Sequence, residues 1–171
     1  MLEEIYYSAY GMPYWLLAVL TAAILVASGL CHALLSARAK RIVGIIASAC
    51  VLLIILYVTM LGRAEPETGL VPMPGYSISR IFDSYIYLRM VLMNIFIFVP
   101  FGAFMTLALS GVGKARAVMI TLITGLVLTI VVEALQYLLN LGCAETDDVI
   151  CNFAGVFIGV IPCLVAYRQG K

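Results

Sequence analysis

Five long apolar stretches dominate this chain, and they leave it few options besides a membrane bundle. They run from about Pro13 to Leu35, Ile42 to Leu61, Met90 to Leu109, Ala117 to Leu139 and Ile150 to Tyr167. A helix of roughly 20 apolar residues crosses a hydrocarbon core of roughly 30 Å, and no soluble fold needs five of them in succession. Composition agrees. Of 171 residues 64% are hydrophobic and 11% charged, whereas a water-soluble domain carries roughly 25% charged residues. The expected fold is all-α: a polytopic transmembrane helix bundle of about five spans, forming one domain over residues 1–171. The fifth stretch is the shortest and would cross with little tilt.

The few charges are sorted by side. Arg38, Lys40 and Arg41 separate the first two stretches, Lys114 and Arg116 the third and fourth, and Arg168 and Lys171 end the chain. With five spans all three groups fall on one side. Glu3, Glu4, the long segment after Leu61, and Glu145, Asp147 and Asp148 fall on the other. Basic residues favour the cytoplasmic side, so the expected location is the plasma membrane, with the N-terminus outside and the C-terminus in the cytoplasm. The acidic start and long first apolar run argue against a cleaved signal peptide. A net charge of +1 gives no case for nucleic acid. The lipid bilayer is the first expected partner.

The outer segment 62–89 divides in two. Glu65-Pro66 to Pro72-Met73-Pro74-Gly75 is rich in turn residues. From Ser77 to Leu88, Ile78, Ile81, Phe82, Tyr85 and Ile86 recur at helical spacing among polar residues. That pattern predicts an amphipathic helix lying at the outer interface or leading into the third span, either packed on the bundle or acting as a lid over an outward-facing cavity.

Polar groups within the apolar stretches are costly in lipid and each needs a reason. Glu133 and Gln136 lie three residues apart and share a helical face with Tyr137. Arg89 and Asn94 sit at the outer part of the third span. Pro100 and Gly102 follow, where a kink and close helix approach are expected. Asp147, Asp148 and Asn152 enter the fifth span, and Gly155 and Gly159 add small-x-x-x-small spacing suited to tight helix packing. Helix capping accounts for one or two of the polar residues at that N-terminus. It leaves the rest, which converge in depth with Asn94, Glu133 and Gln136. Together they point to an outward-facing polar pocket. The five cysteines contain no C-x-x-C pair and His32 is the sole histidine, which argues against a zinc site. Cys143 and Cys151 flank one loop, where a disulfide is the less favoured reading.

Three blocks in order, Asn94-x-x-x-Phe98-Val-Pro100-Phe-Gly102, Glu133-x-x-Gln136 and Asp147-Asp148-Val-Ile-x-Asn152-x-x-Gly155-x-x-x-Gly159, resemble the VanZ-like family of bacterial membrane proteins. The resemblance covers about Leu88 to Val160. It implies a cell-envelope protein of Gram-positive bacteria, and its name-giving member is linked to resistance to the glycopeptide antibiotic teicoplanin. Many relatives carry an Arg shortly before the Asp pair. Here that stretch reads Gly142-Cys143-Ala144-Glu145. A counter-charge must then come from Arg89, Arg80 or Arg63, or from a bound cation.

Three functions compete. One is a non-enzymatic protein that binds a glycopeptide, a lipid-linked cell-wall precursor or an anionic lipid in the outer pocket. The second is a membrane enzyme acting on an envelope lipid, with a divalent cation at Asp147 and Asp148 and Glu133 as acid or base. The third is a small transporter with Glu133 as a proton site; the lack of an inverted repeat counts against it. The binding protein needs no cofactor.

Overall fold

The computed structural model describes residues 13–61, 69–141 and 143–166. Glu3, Glu4, Arg63, Glu65, Gly142, Arg168 and Lys171 lie outside the described residues.

Five helices are long and apolar enough to cross a membrane. Helix α1 spans Tyr14–Leu34 and is preceded by Pro13 in extended geometry. The chain extends again at Leu35. Ser36 then caps α2 (Ala37–Leu56), its side chain accepting the Ala39 N–H at 3.3 Å. Helix α2 widens into a π turn over Tyr57–Leu61. Helix α3 covers Tyr85–Ala108 with Pro100 inside it, and α4 covers Lys114–Leu138. The last span is broken. Helix α5 runs Thr146–Gly159 and a short α6 covers Ile161–Ala166. Pro162, in the first turn of α6, has no N–H to continue the ladder of α5. The later spans begin several residues before their apolar stretches, at Ala37, Tyr85, Lys114 and Thr146. Polar first turns such as Arg38–Arg41 are helical but sit where headgroups and water meet the bundle, so hydropathy alone misses them.

Two features depart from the sequence reading. The chain contains a small parallel ladder, β1 (Gly69–Val71) against β2 (Cys143–Glu145), with Leu70 opposite Ala144. Second, Ser77 to Leu88 is not one interfacial amphipathic helix. A single 3₁₀ turn, Ile78–Arg80, is followed by a turn, and Ser84 then caps α3 by accepting the Ile86 N–H. The physical reason is competition. A carboxylate from α5 binds the backbone N–H groups around Ser77, and Ser84 restarts the helix at a new angle. Among the described residues no two cysteines form a disulfide.

Helix α3 is the centre of the bundle. Its closest neighbour is α5, and the approach is made by glycine. A Cβ at Gly155 would overlap the Ile95 carbonyl oxygen, and one at Gly159 the Val99 carbonyl oxygen. Gly102 on α3 meets the Val156 carbonyl in the same way. The small-residue face is therefore spent within the chain, where backbone-to-backbone contact replaces side-chain interdigitation. Ile55, Phe98, Phe101, Val132 and Val156 fill the core from α2, α3, α4 and α5. Helix α1 is tied to α3 by Ser28 Oγ, which donates to the Ala103 carbonyl at 3.3 Å. Large apolar side chains such as Leu53, Ile123 and Val127 face outward, as lipid-facing residues must.

Candidate functional site

The two ends of the bundle differ in charge. At the end formed by the start of α3, the end of α4 and the start of α5, six polar side chains gather from three helices. Glu133, Gln136, Asp147, Asp148 and Asn152 are buried, and Asn94 is half-buried.

Asp147 has the most partners. One oxygen accepts the Gly75 N–H, and the other accepts the N–H groups of Ser77 at 2.7 Å and Ile78 at 3.0 Å. Residues 75–78 lead into the 3₁₀ turn Ile78–Arg80, whose own N-cap Ser77 makes no side-chain cap bond. Asp147 thus caps an element 70 residues away in sequence rather than the helix on which it sits. The Ser77 hydroxyl donates instead to Glu145 Oε2 at 2.7 Å. The backbone N–H of Glu145 in turn donates to Glu133 Oε2 at 3.2 Å, tying β2 to α4. Asp148 points to another neighbour. Its carboxylate accepts the side-chain amide of Asn94 and links α5 to α3.

Gln136 is fully buried. Its Nε2 donates to the Thr59 carbonyl at 3.1 Å. Thr59 lies in the π turn, where the widened ladder leaves a carbonyl accessible to a side chain. Two carbonyl oxygens are left over. Gln136 Oε1 and Asn152 Oδ1 are buried without a hydrogen-bond partner among the described residues. A buried acceptor without a donor costs about 1–3 kcal/mol, so each calls for an explanation.

The cations are arranged differently from one another. Arg80 stacks on Tyr76, its guanidinium 3.9 Å from the ring centre, and donates to the Tyr87 hydroxyl at 3.3 Å. The Tyr87 and Tyr76 hydrogen bonds hold its pKa above the ordinary arginine value. Arg80 is therefore committed to a tyrosine clamp at the surface. Arg89 is half-buried on α3, its guanidinium 5.9 Å from the Tyr85 ring. Arg63 lies outside the described residues. Tyr137 does not follow Glu133 and Gln136 inward. It is 50% exposed and lines a shallow depression with Gly69, Leu70, Leu138 and Asn140.

A family model described as VanZ/LLP1 matches residues 45–167, more than half of the chain. The chain belongs to the VanZ/LLP1 family. No curated protein and no solved structure matches it. Membership and the five apolar helices together make this a multi-pass membrane protein.

In this VanZ/LLP1 chain the three sequence blocks meet at one end. The first block supplies Asn94, the second Glu133 and Gln136, and the third Asp147, Asp148 and Asn152. Pro100, Gly102, Gly155 and Gly159 lie deeper, in the α3–α5 contact. Sequence reasoning missed Ser77, Thr59 and the role of Glu145. Ser77 carries no signal beyond opening the amphipathic stretch, and Thr59 sits in an apolar run. Among the described residues no three His, Cys, Asp or Glu side chains gather in a metal-binding group. Asp147 already accepts three N–H bonds, about three of the four lone-pair positions a carboxylate offers.

Proposed function

We propose that this protein is a binding component of the bacterial cell envelope. It holds the headgroup of an envelope lipid or lipid-linked cell-wall precursor at the acidic end of the bundle. The observation that carries this reading is the pair of buried carbonyl oxygens, Gln136 Oε1 and Asn152 Oδ1, left without donors among the described residues inside the polar cluster. Sugar hydroxyls, amides and amines supply such donors. The carboxylate of Asp147, by contrast, is occupied with the 75–78 turn, which favours recognition over catalysis. The positive-inside rule places this end outside the cell, where wall precursors and glycopeptides are met.

The family resemblance adds teicoplanin as a second candidate ligand. Expression in a teicoplanin-sensitive Gram-positive host tests the resistance role. A raised threshold at verified expression supports it, and an unchanged one removes it for this protein. Binding and catalysis separate by incubating purified protein in nanodiscs with a lipid-linked precursor. Stoichiometric association without a new product is expected. Turnover that is lost on Glu133→Gln would replace binding by enzymatic action.

A further inference from the structure

The segment that leads from β1 into α3 holds a phenylalanine away from the rest of the chain. Phe82 is 93% exposed, more than any other large apolar side chain among the described residues. The backbone beneath it is closely bonded. The N–H groups of Asp83 and Ser84 both donate to the Arg80 carbonyl, at 2.9 and 3.2 Å, and close a turn over Ile81 and Phe82. Upstream the segment is tied to α5, because Asp147 accepts the N–H groups of Gly75, Ser77 and Ile78. Downstream Ser84 caps α3. Phe82 therefore stands at the apex of a hydrogen-bonded turn that is anchored on both sides.

A phenyl ring held out in this way is unfavourable in water and calls for an apolar partner. Its surroundings indicate which. Tyr85 and Ile86, 59% and 65% exposed, open α3 directly behind it. Helix α3 has 24 residues, so it is about 36 Å long, against a hydrocarbon core of roughly 30 Å. Its first turn therefore reaches the boundary between hydrocarbon and headgroups, and Phe82 lies beside that turn. The arginines here lie against rings. Arg80 stacks on Tyr76 and lies 5.7 Å from the centre of the Tyr87 ring, while Arg89 lies 5.9 Å from that of Tyr85. Basic side chains laid along rings, with the charge at headgroup level, suit a segment at the interface. Among the described side chains every Trp and Tyr lies toward this end of the bundle: Trp15, Tyr57, Tyr76, Tyr85, Tyr87 and Tyr137. Such rings collect where membrane meets water. A protein partner would ask instead for a broad patch with an apolar centre, whereas Phe82 is a single apex ring next to the exposed Asp83.

We propose that the Phe82 turn, with Tyr85 and Ile86, inserts into the lipid interface of the leaflet at the acidic end of the bundle. Its partner is the bilayer surface itself. Because Asp147 holds the same segment, the insertion sets the rim of the acidic cluster at headgroup depth. The contact stands whether or not that cluster binds a precursor.

The test places a single tryptophan in the full chain, reconstituted in phosphatidylcholine vesicles whose lipid is brominated either near the headgroup or near the chain end. Trp15→Phe removes the one native tryptophan, and Phe82→Trp or Ile46→Trp then adds the reporter. Ile46 is 61% exposed near the middle of the second span and serves as the deep reference. Its reporter should be quenched most by the deep bromine, which also verifies reconstitution. The Phe82 reporter should emit at shorter wavelength than tryptophan in water and be quenched more by the shallow bromine than by the deep one. Ile86→Trp should give the same shallow reading, and carries the test should Phe82→Trp fail to fold. Three results overturn the proposal. Long-wavelength emission quenched by aqueous iodide puts the turn in water. Short-wavelength emission that neither bromine nor iodide quenches puts Phe82 against another part of the chain or a second copy. Quenching that matches the Ile46 reference puts it deep in the hydrocarbon.

Discussion

Asn94 on α3 donates its side-chain amide hydrogen to the carboxylate of Asp148 on α5, about two helical turns before the glycines that bring the two helices into contact. The polar bond and the backbone contact share one interface, so each should depend on the other. Removing either partner breaks this hydrogen bond. A double-mutant cycle with Asn94→Leu and Asp148→Leu, read by unfolding in mixed micelles, should give a coupling of about 1–2 kcal/mol. A coupling near zero would mean the two residues are independent.

Asp147→Ala should release the 75–78 turn. It takes away the acceptor for the N–H groups of Gly75, Ser77 and Ile78 together. The expected loss of stability is about 2–4 kcal/mol. Hydrogen exchange should rise at these three amides while α2 stays protected. Asp147→Asn keeps one acceptor oxygen and should fall between wild type and Asp147→Ala. Unchanged exchange in Asp147→Ala would contradict the assigned role.

Gly155→Ala and Gly159→Ala should each destabilise by about 1–3 kcal/mol, because the new methyl meets a carbonyl oxygen that cannot move without shifting α3. Gly29→Ala is the control. Its nearest neighbour would be Pro162 Cβ at 3.9 Å, an ordinary contact. It should be neutral or mildly stabilising, since alanine is the better helix former. Equal costs at Gly29 and Gly155 would show that helix propensity, and not close approach, sets the values.

Reporter fusions at Lys114 and Lys171 should read cytoplasmic, and one near Thr68 should read exterior. The opposite pattern would turn the bundle over and place the acidic cluster in the cytoplasm.

Much of this architecture is legible in the sequence because the physics involved is local. Apolar run length reveals spans, and the spacing of Gly155 and Gly159 reveals a close-packing face. Asp147, Asp148 and Asn152 stand out because polar groups are rare in such surroundings. What each one touches is a different matter. Asp147 reads as a helix cap, and it is one, but for a turn in another part of the chain. The Ser77 to Leu88 periodicity reads as one helix, yet long-range hydrogen bonds from α5 outweigh a local preference of a few tenths of a kcal/mol per residue. The β1–β2 ladder is three residues long on each side, too short to show a strand pattern against a background already rich in Val, Leu and Ala.

Asn152→Leu tests the central claim most directly. Leucine matches asparagine in shape and removes the buried Oδ1 that has no partner among the described residues. If that oxygen is held for a ligand, the ligand-free protein should be as stable as wild type, or more stable by about 1 kcal/mol. Binding of a lipid-linked wall precursor in nanodiscs should meanwhile fall at least roughly tenfold, the loss of one buried hydrogen bond. Wild-type affinity in Asn152→Leu, or no precursor binding by the wild-type protein, would contradict the account.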